Sequence, residues 1–580
     1  MKKLLVYLKD YKKESILGPL FKLFEVVFEL MVPLVMASMI DKGIAGADRL
    51  HIVKMFGVLM VLGLVGLLSS VTAQYFAAKA SVGFAKQLKR ALFAHIQTLS
   101  FSEMDELGDS GLITRMTSDM NQVQSGVNLT LRLLLRSPFV VVGAMIMAFS
   151  IDVKAAWIFV VTIPVLSVVV FGIMIWCIPR YKNVQERLDK VLSITRENLT
   201  GVRVLRAFCM EEKEVEQFDQ ANEALAVMQK HVGKISALLN PVTYVIINGA
   251  IAILIWQGAI QVHAGLLTQG AVVALYNYMS QILVELIKLA NLILNMTKSI
   301  ACGNRIQSVF EIHSSMEEKQ EKVSVKKENP VLEFDHVNLR YHNSGDDALE
   351  DIHFRVNQGE TVGVIGGTGS GKTSLVHLIP RYYDATKGTV RLYGVDVREY
   401  PFEQLRGIVA VVLQKAVLFR GTIRENMQWG KKDATDEEIY QALAIAQAKD
   451  VVDGKPEKLD YVIEQGGKNL SGGQRQRLTI ARALLTDADI LILDDSSSAL
   501  DYATDAVLRK ALKDMDKKKT VFMVSQRTAS IQHADKIIVL EDGKIAGMGT
   551  HEELLENCLV YQEIYESQNK TTESSKMEMR

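Results

Sequence analysis

An excess of either charge sign is missing from this chain: 66 Lys and Arg stand against 66 Asp and Glu over 580 residues. Nothing in that balance calls for a nucleic-acid or anionic-surface partner. Cysteine is scarce, and Cys177, Cys209, Cys302 and Cys558 are scattered without a CxxC pair or metal-ligand spacing. Such usage fits reduced thiols; it argues against a disulfide framework and offers no cysteine metal site. The amino terminus lacks a small-residue cleavage site, and its apolar stretch is too long for a cleaved signal peptide. No internal repeat is evident. What is abundant is apolar sequence, 49% of residues, concentrated before about Ala301, with ordinary soluble composition after it. A length prior of roughly 150 residues per domain makes the chain too long for one core, so at least two domains are expected.

The first segment, MKKLLVYLKDYKKE, interleaves basic and apolar residues and reads as an interfacial helix. Apolar stretches then fall near 15–40, 51–78, 133–149, 155–178, 238–260 and 271–297. Each approaches or exceeds the ~18 residues that hydrocarbon requires, which predicts six membrane-spanning helices. Connections at 41–50, 150–154 and 261–270 are short, whereas those at 79–132 and 179–236 are long and rich in Lys and Arg. By the positive-inside bias, the long connections and both termini are cytoplasmic. Their charge alternation and 3.6-residue apolar spacing predict helices that continue beyond the bilayer.

Charges inside spans face protein or water. Lys22, Glu25 and Glu29 share a face of the first span, and Glu285 and Lys288 lie three apart in the last. They read as ion pairs tying helices together, as interfacial groups near the cytoplasmic end, or as a cavity favouring cationic, amphipathic substrates.

A membrane domain is thus expected over 1–310. The run EIHSSMEEKQEKVSVKKENP, 311–330, is charged, apolar-poor and closed by Pro, a linker by composition. A soluble domain follows at 331–565, and the polar stretch 566–580 is expected to be a disordered tail.

In the soluble domain, the short apolar strand TVGVI precedes Gly366-Gly367-Thr368-Gly369-Ser370-Gly371-Lys372-Thr373, followed by Ser374 at the start of a helix. This fits GxxxxGK[ST]: the glycines let backbone N–H groups wrap phosphates, Lys372 adds a point charge, and the Thr373 hydroxyl can ligate Mg²⁺. Farther on, LSGGQRQRLTIARALLTDADILILDDSSSALD contains a second anion-binding element. Ser471, Gly472, Gly473 and Gln474 stand ahead of a helix-forming run, where free N–H groups and the helix dipole meet an anion. The continuous apolar run ILIL then reads as a strand buried on both faces, ending in Asp494 and Asp495, carboxylates placed to hold Mg²⁺ and a water. Tyr341 closes the alternating strand VLEFDHVNLRY about 25 residues before the phosphate loop, where its ring can stack on a base.

Together these motifs resemble the ATP-binding cassette (ABC) exporters, and the resemblance covers nearly the whole chain. It implies a multi-domain membrane protein: a six-helix transmembrane domain with long cytoplasmic helical extensions, then an α/β P-loop nucleotide-binding domain that takes ATP and Mg²⁺. It implies that Tyr341 stacks on adenine, that Gln414 in VVLQKAVLF is the Q-loop residue contacting Mg²⁺ and the attacking water, and that Ser498 to Asp501 form the D-loop. Asp494 is the family's strand-end metal ligand. Segments 111–119 and 197–208 resemble the coupling helices that dock on nucleotide domains. The family's X-loop Glu has only a shifted counterpart in Glu464-Gln465.

Two departures from the family pattern stand out. The general base, a Glu, is replaced by Asp495, and the switch His by Gln526. Asp is a methylene shorter, and ~1 Å of misplacement can cost on the order of 10²-fold; Gln cannot carry a proton as imidazole does. Family sites form between one phosphate loop and a partner's LSGGQ. The resemblance therefore implies one subunit of a heterodimer, with its own hydrolytic site impaired and its own LSGGQ completing a competent site on a second half-transporter. It would sit in a bacterial cell membrane and export amphipathic drugs or lipids. The alternative is a homodimeric ATP-binding regulator with little hydrolysis. An importer is disfavoured by the fusion of the two domains with the membrane part first.

Overall fold

The computed structural model describes residues 2–578 except Asn329, Asn343, Asp516 and Lys517. It divides into two compact units, one made of 1–97 and 109–312, the other of 98–108 and 313–580.

The first unit is all helix. After a 3₁₀ segment, Lys2–Tyr11, come α1 (Lys12–Ser38) and α2 (Arg49–Ile96). The short helix α3 (Phe101–Leu107) belongs to the second unit. Then follow α4 (Asp109–Thr114), α5 (Met120–Leu133), α6 (Arg136–Ile151), α7 (Val153–Ala207), α8 (Glu211–Ala237), α9 (Leu239–His263) and α10 (Gln269–Phe310). Among the described residues, six helical stretches are long and apolar enough to cross a membrane, of 42 to 55 residues each. At about 1.5 Å per residue the longest reaches roughly 80 Å, far past a hydrocarbon core of about 30 Å. The expected extensions beyond the bilayer are therefore continuous with the spans.

The short connections start helices. Asp48 accepts from the His51 amide (3.0 Å), Asp152 from Ala155 (2.7 Å) and Thr268 from Ala271 (3.3 Å), each satisfying an otherwise unpaired amide of a helix's first turn. Val26, Leu30, Val140, Ala144, Phe159, Leu254, Tyr278 and Ile282 form the bundle core. Phe56, Val61, Leu64 and Leu68 of α2 are exposed, an arrangement that suits lipid rather than water.

The charges in the spans pair with one another. Lys22 Nζ lies 2.5 Å from Glu25 and 3.3 Å from Ser70 Oγ. Arg136 joins Glu29 (2.8 Å) to Glu285, which also accepts from Ser137 Oγ (2.9 Å) and Lys288 (2.8 Å). All five charges read from the sequence thus have an intramolecular partner, and the cation at the centre is one that reading did not single out.

The second unit is α/β. Its strands are β1 (Leu332–Leu339), β2 (Leu349–Val356), β3 (Thr361–Gly366), β4 (Lys387–Leu392), β5 (Val395–Asp396), β6 (Val409–Val412), β7 (Gly421–Thr422), β8 (Val462–Ile463), β9 (Ile490–Asp494), β10 (Thr520–Val524), β11 (Lys536–Glu541) and β12 (Lys544–Gly549). An antiparallel sheet runs β2-β1-β4-β5, a two-stranded sheet pairs β7 with β8, and a six-stranded sheet runs β12-β11-β3-β10-β9-β6. In the largest sheet β3, β10 and β9 are parallel, with Val524 opposite both Val364 and Asp494. Their carboxyl ends consequently open at one edge, where α/β sheets bind ligands. All five residues of β9 are buried, as the ILIL run requires.

Helix α3 is a finding that the sequence did not supply. Ser100 and Glu103 form a capping box, the Ser315 amide donates to Glu103 over 3.1 Å, and the Phe101 ring lies 4.6 Å from that of Tyr382. The stretch 111–119 lies in the membrane unit, where Asp119 is bound by Arg305 over 2.5 and 2.9 Å. A buried carboxylate held by guanidinium fixes that stretch within its own bundle.

Within 311–330, Val323 exchanges two hydrogen bonds with the Gln404 amide (2.9 and 2.7 Å), and Lys327 reaches Asp489 (2.6 Å). The segment is laid along the nucleotide unit. At the other end a helix, Leu559–Glu578, continues into the stretch whose composition suggested a disordered tail; Met579 and Arg580 lie outside the described residues.

Candidate nucleotide site

Strand β3 delivers the chain into a loop that only glycine-rich sequence can form. Gly369 and Gly371 have φ of +84° and +96°, and a Cβ on Gly371 would lie 2.7 Å from the Ala348 carbonyl. Gly371 then caps the helix Lys372–Leu378, so Gly366, Gly367, Thr368, Gly369, Ser370 and Gly371 wrap its amino end. Lys372 Nζ donates to the Gly366 and Gly367 carbonyls (3.0 and 2.6 Å). Burial lowers its pKa while Asp495 and Asp494 counteract.

Behind the loop, Thr373 Oγ1 donates to Asp494 Oδ1 over 3.2 Å. Asp494 is 1% exposed, and burial pushes its pKa up to about 6 despite the Thr373 hydrogen bond and the Lys372 charge. A desolvated carboxylate beside a hydroxyl is a donor pair that suits a hard divalent cation, so the residues present fit Mg²⁺.

Asp495 stands at the mouth of the site. Its φ of +44° is uncommon for a non-glycine residue, and its amide is held by the Val524 carbonyl at 3.0 Å. Gln414 Nε2 donates to its carboxylate over 3.2 Å. Burial raises the Asp495 pKa, opposed by that bond and by Lys372 and Arg527. Gln414 is thus brought to Asp495, with its amide nitrogen directed there. Gln526 follows β10, is exposed, and sits one residue beyond Ser525, whose amide donates to Val364 of β3 over 3.1 Å.

Tyr341 lies over the start of the phosphate-loop helix: its hydroxyl donates to Ser374 Oγ at 2.9 Å, and its ring meets the edge of Tyr383 at 5.1 Å. The Tyr383 hydroxyl donates to Asp105 of α3 over 2.6 Å. A cavity of about 410 Å³ beside them is lined by Ser102, Asp105, Glu106, Tyr341, His342 and Tyr383. Motif reading missed Tyr383, Asp105 and also His377, whose Nε2 is 3.8 Å from Asp494. Burial lowers the His377 pKa, which keeps the ring neutral. A motif spans a short stretch of chain, and these contacts join stretches far apart.

Ser471 and Gln474 engage each other. They form a capping box on the helix Gly472–Leu484, the Ser471 amide donating to Gln474 Oε1 (3.0 Å) and the Gln474 amide to Ser471 Oγ (3.2 Å). Ser471 and Gly472 are exposed, and a Cβ placed on Gly472 meets nothing within 4 Å. Thr373, Asp494, Lys372, Asp495, Gln414, Tyr341 and Ser374 are therefore linked around one sheet edge, whereas the contacts of Ser471 and Gln474 are with each other.

Comparison with known proteins agrees with this geometry. A family model described as "ABC transporter transmembrane region" matches residues 15–286, and one described as "ABC transporter" matches 349–498. The chain is 35% identical to the uncharacterized ABC transporter ATP-binding protein YfiB of Bacillus subtilis (strain 168), over 98% of both chains. It is 31% identical to the probable multidrug resistance ABC transporter ATP-binding/permease protein YheI of the same organism, over 98% of this chain and 97% of that one. Its fold superposes on a solved structure of a bacterial Atm1-family ABC exporter with ATP bound, with a TM-score of 0.81 at 21% identity, covering 96% of this chain and 99% of that one. With six membrane-spanning helices, a phosphate loop and a strand-end carboxylate in this order, the chain belongs to the ABC transporters, as a multi-pass membrane protein with a cytoplasmic ATP-binding domain.

Proposed function

We propose that this chain is one subunit of a heterodimeric exporter, in which its own site binds ATP and turns it over slowly while its Ser471, Gly472, Gly473 and Gln474 complete a competent site on a different half-transporter. The observation that carries this reading is Asp495. It takes the place of the family's general base, yet its side chain is a methylene shorter than Glu and its backbone is tied to Val524 at a φ of +44°. Neither constraint lets it advance toward the nucleotide, and proton abstraction falls steeply with distance. Gln526, neutral in all states, can hydrogen-bond a γ-phosphate without moving a proton.

The remaining residues are those of a binding site. Loop amides and Lys372 hold the phosphates, the Tyr341 ring takes the base, and Thr373 with Asp494 would hold Mg²⁺, which when bound offsets the phosphate charge. For the LSGGQ element, nothing in the chain's own fold demands glycine at Gly472, whose Cβ position is open. A requirement set by another chain's phosphates accounts for it. The tip of α7 adds a second surface suited to a partner: Leu199, Val204 and Phe208, within the stretch 197–208, are exposed by 74%, 61% and 73%.

The substrate class we infer is amphipathic: drugs or lipids moved out of the cytoplasm or the inner leaflet. The apolar outward faces of the bundle suit delivery from the bilayer, and one relative bears a multidrug resistance name. Purification of the tagged chain from its native membrane, with mass identification of the co-purifying chain, tests the assembly. A second half-transporter in equal amount, carrying Glu and His at the matching positions, is expected; recovery of this chain alone would overturn the heterodimer and favour the slowly hydrolysing homodimeric switch.

A further inference from the structure

The helix Leu559–Glu578 is rooted beside the nucleotide site. Tyr561 is fully buried in an apolar cluster with Ile365 of β3, Ile531 and Val539 of β11, and its hydroxyl lies 2.7 Å from His551 Nδ1. Positions 561, 564, 565 and 568 recur at helical spacing, so they share a face. Two turns beyond Tyr561, Gln568 lies against the segment that follows β10. Its Oε1 accepts from both the amide and the hydroxyl of Thr528, each at 2.9 Å, and its Nε2 donates to the Gln526 carbonyl at 2.7 Å. One amide group therefore grips the backbone on both sides of Arg527. From the other direction, the Ser525 amide is tied to Val364 and its hydroxyl accepts from the Arg527 amide at 3.0 Å.

We propose that Gln568 is a positioning residue for the loop Gln526-Arg527-Thr528: it fixes the Gln526 backbone, and through it the side chain that meets the γ-phosphate, from the carboxyl-terminal helix. The inference rests on the reading of Gln526 as the γ-phosphate contact. The Gln526 side chain is exposed, and the part of the residue that is held is its backbone carbonyl. The grip needs a group that donates on one side and accepts on the other, which a side-chain amide provides and a carboxylate does not. Unwinding the end of this helix would free the switch position while leaving the phosphate loop and Tyr341 in place.

The replacement Gln568→Glu isolates the contact, because Glu still accepts from Thr528 but opposes an oxygen to the Gln526 carbonyl. In the purified full-length complex, photo-crosslinking of an azido-ATP to this chain, competed with ATP or ADP, reads its γ-phosphate preference. Loss of one hydrogen bond's worth of positioning is expected to lower the ATP-over-ADP preference about 3- to 10-fold, with ADP competition unchanged. Gln526→Ala should do the same, and the double variant should lose no more than Gln526→Ala alone. Gln568→Asn, too short to span the loop, should match Gln568→Glu and serves if that variant fails to fold. An unchanged preference in Gln568→Glu, with Gln526→Ala impaired, overturns the proposal. An equal loss of ATP and ADP overturns it in favour of a merely structural role. An unchanged preference in Gln526→Ala overturns the reading of Gln526 itself, and the proposal with it.

Discussion

Thr373 and Asp494, 121 positions apart, meet through a 3.2 Å hydrogen bond between the start of the phosphate-loop helix and the end of β9. The bond joins the hydroxyl and the carboxylate that would hold a divalent cation, and it does so where Asp494 is almost wholly removed from water. A carboxyl whose pKa rises from 3.8 to about 6 on folding holds its proton more tightly in the folded state. The metal-free protein should lose stability as pH climbs from about 4 through about 6, by on the order of 3 kcal/mol. Mg²⁺ held there would favour the ionised form and reverse that loss. Thermal unfolding in detergent should show a larger stabilisation by MgATP at pH 7.5 than at pH 5.5, and Asp494→Asn should stabilise the metal-free protein while removing the MgATP response. Equal shifts at the two pH values would contradict the assignment.

Tyr341 offers a cleaner separation of ring from hydroxyl. Base stacking contributes about 1–3 kcal/mol, so Tyr341→Ala should weaken ATP binding at this chain's site by roughly 5- to 100-fold. Tyr341→Phe keeps the ring, loses only the Ser374 contact, and should stay within about 3-fold of the parent. Crosslinking of an azido-ATP to this chain across a concentration series measures both; equal losses would assign the role to the hydroxyl instead.

Because the proposed function places little catalytic weight on Asp495, its removal should cost little. Asp495→Asn is expected to change the ATPase rate of the purified assembly by less than about 2-fold, whereas loss of an effective general base costs about 10²- to 10⁴-fold. Asp495→Glu should raise turnover at this chain's own site. A collapse of ATPase activity in Asp495→Asn would show that this site carries the turnover.

In the membrane bundle, Arg136→Met would strand Glu285, whose side chain is 4% exposed, with Lys288 and Ser137 as remaining partners. Breaking a buried pair costs about 3–5 kcal/mol, and removing both charges in favour of apolar groups restores much of it. The double variant Arg136→Met, Glu285→Leu should therefore unfold at a higher temperature in detergent than Arg136→Met alone. Glu29 and Lys288, 39% and 45% exposed, are the less buried members of the cluster. A double variant no more stable than the single one would refute the ion-pair account.

How much of this was legible in the sequence depends on how far apart the interacting residues lie. Spans and phosphate loop are local patterns, apolar length in one case and glycine spacing in the other, and both were readable. Asp494 and Thr373 could each be singled out because each ends or begins an element with a strong local mark, and the structure brings them together. Arg136 was not, since a basic residue at the edge of an apolar run looks like an interfacial anchor until Glu29 and Glu285 are brought to it from other helices. Helix α3 was not readable for the same reason. FSEMDEL is seven residues of ordinary composition, and only the packing of Phe101 on Tyr382 and the capture of Asp105 by Tyr383 distinguish it from the stretch that follows. Gln568 lay in polar sequence that composition alone assigns to a tail.

The membership of 98–108 in the nucleotide unit bears on how the protein can be taken apart. Its domains are not consecutive along the chain. A fragment beginning at the linker would be soluble in composition yet incomplete, with Tyr382 uncovered, Tyr383 deprived of Asp105, and the Ser315 amide without its acceptor. Gene fusions or truncations that exchange the carboxyl-terminal half between relatives would therefore import a surface matched to a helix left behind in the other half, and compatibility of such chimeras should be set by those few residues.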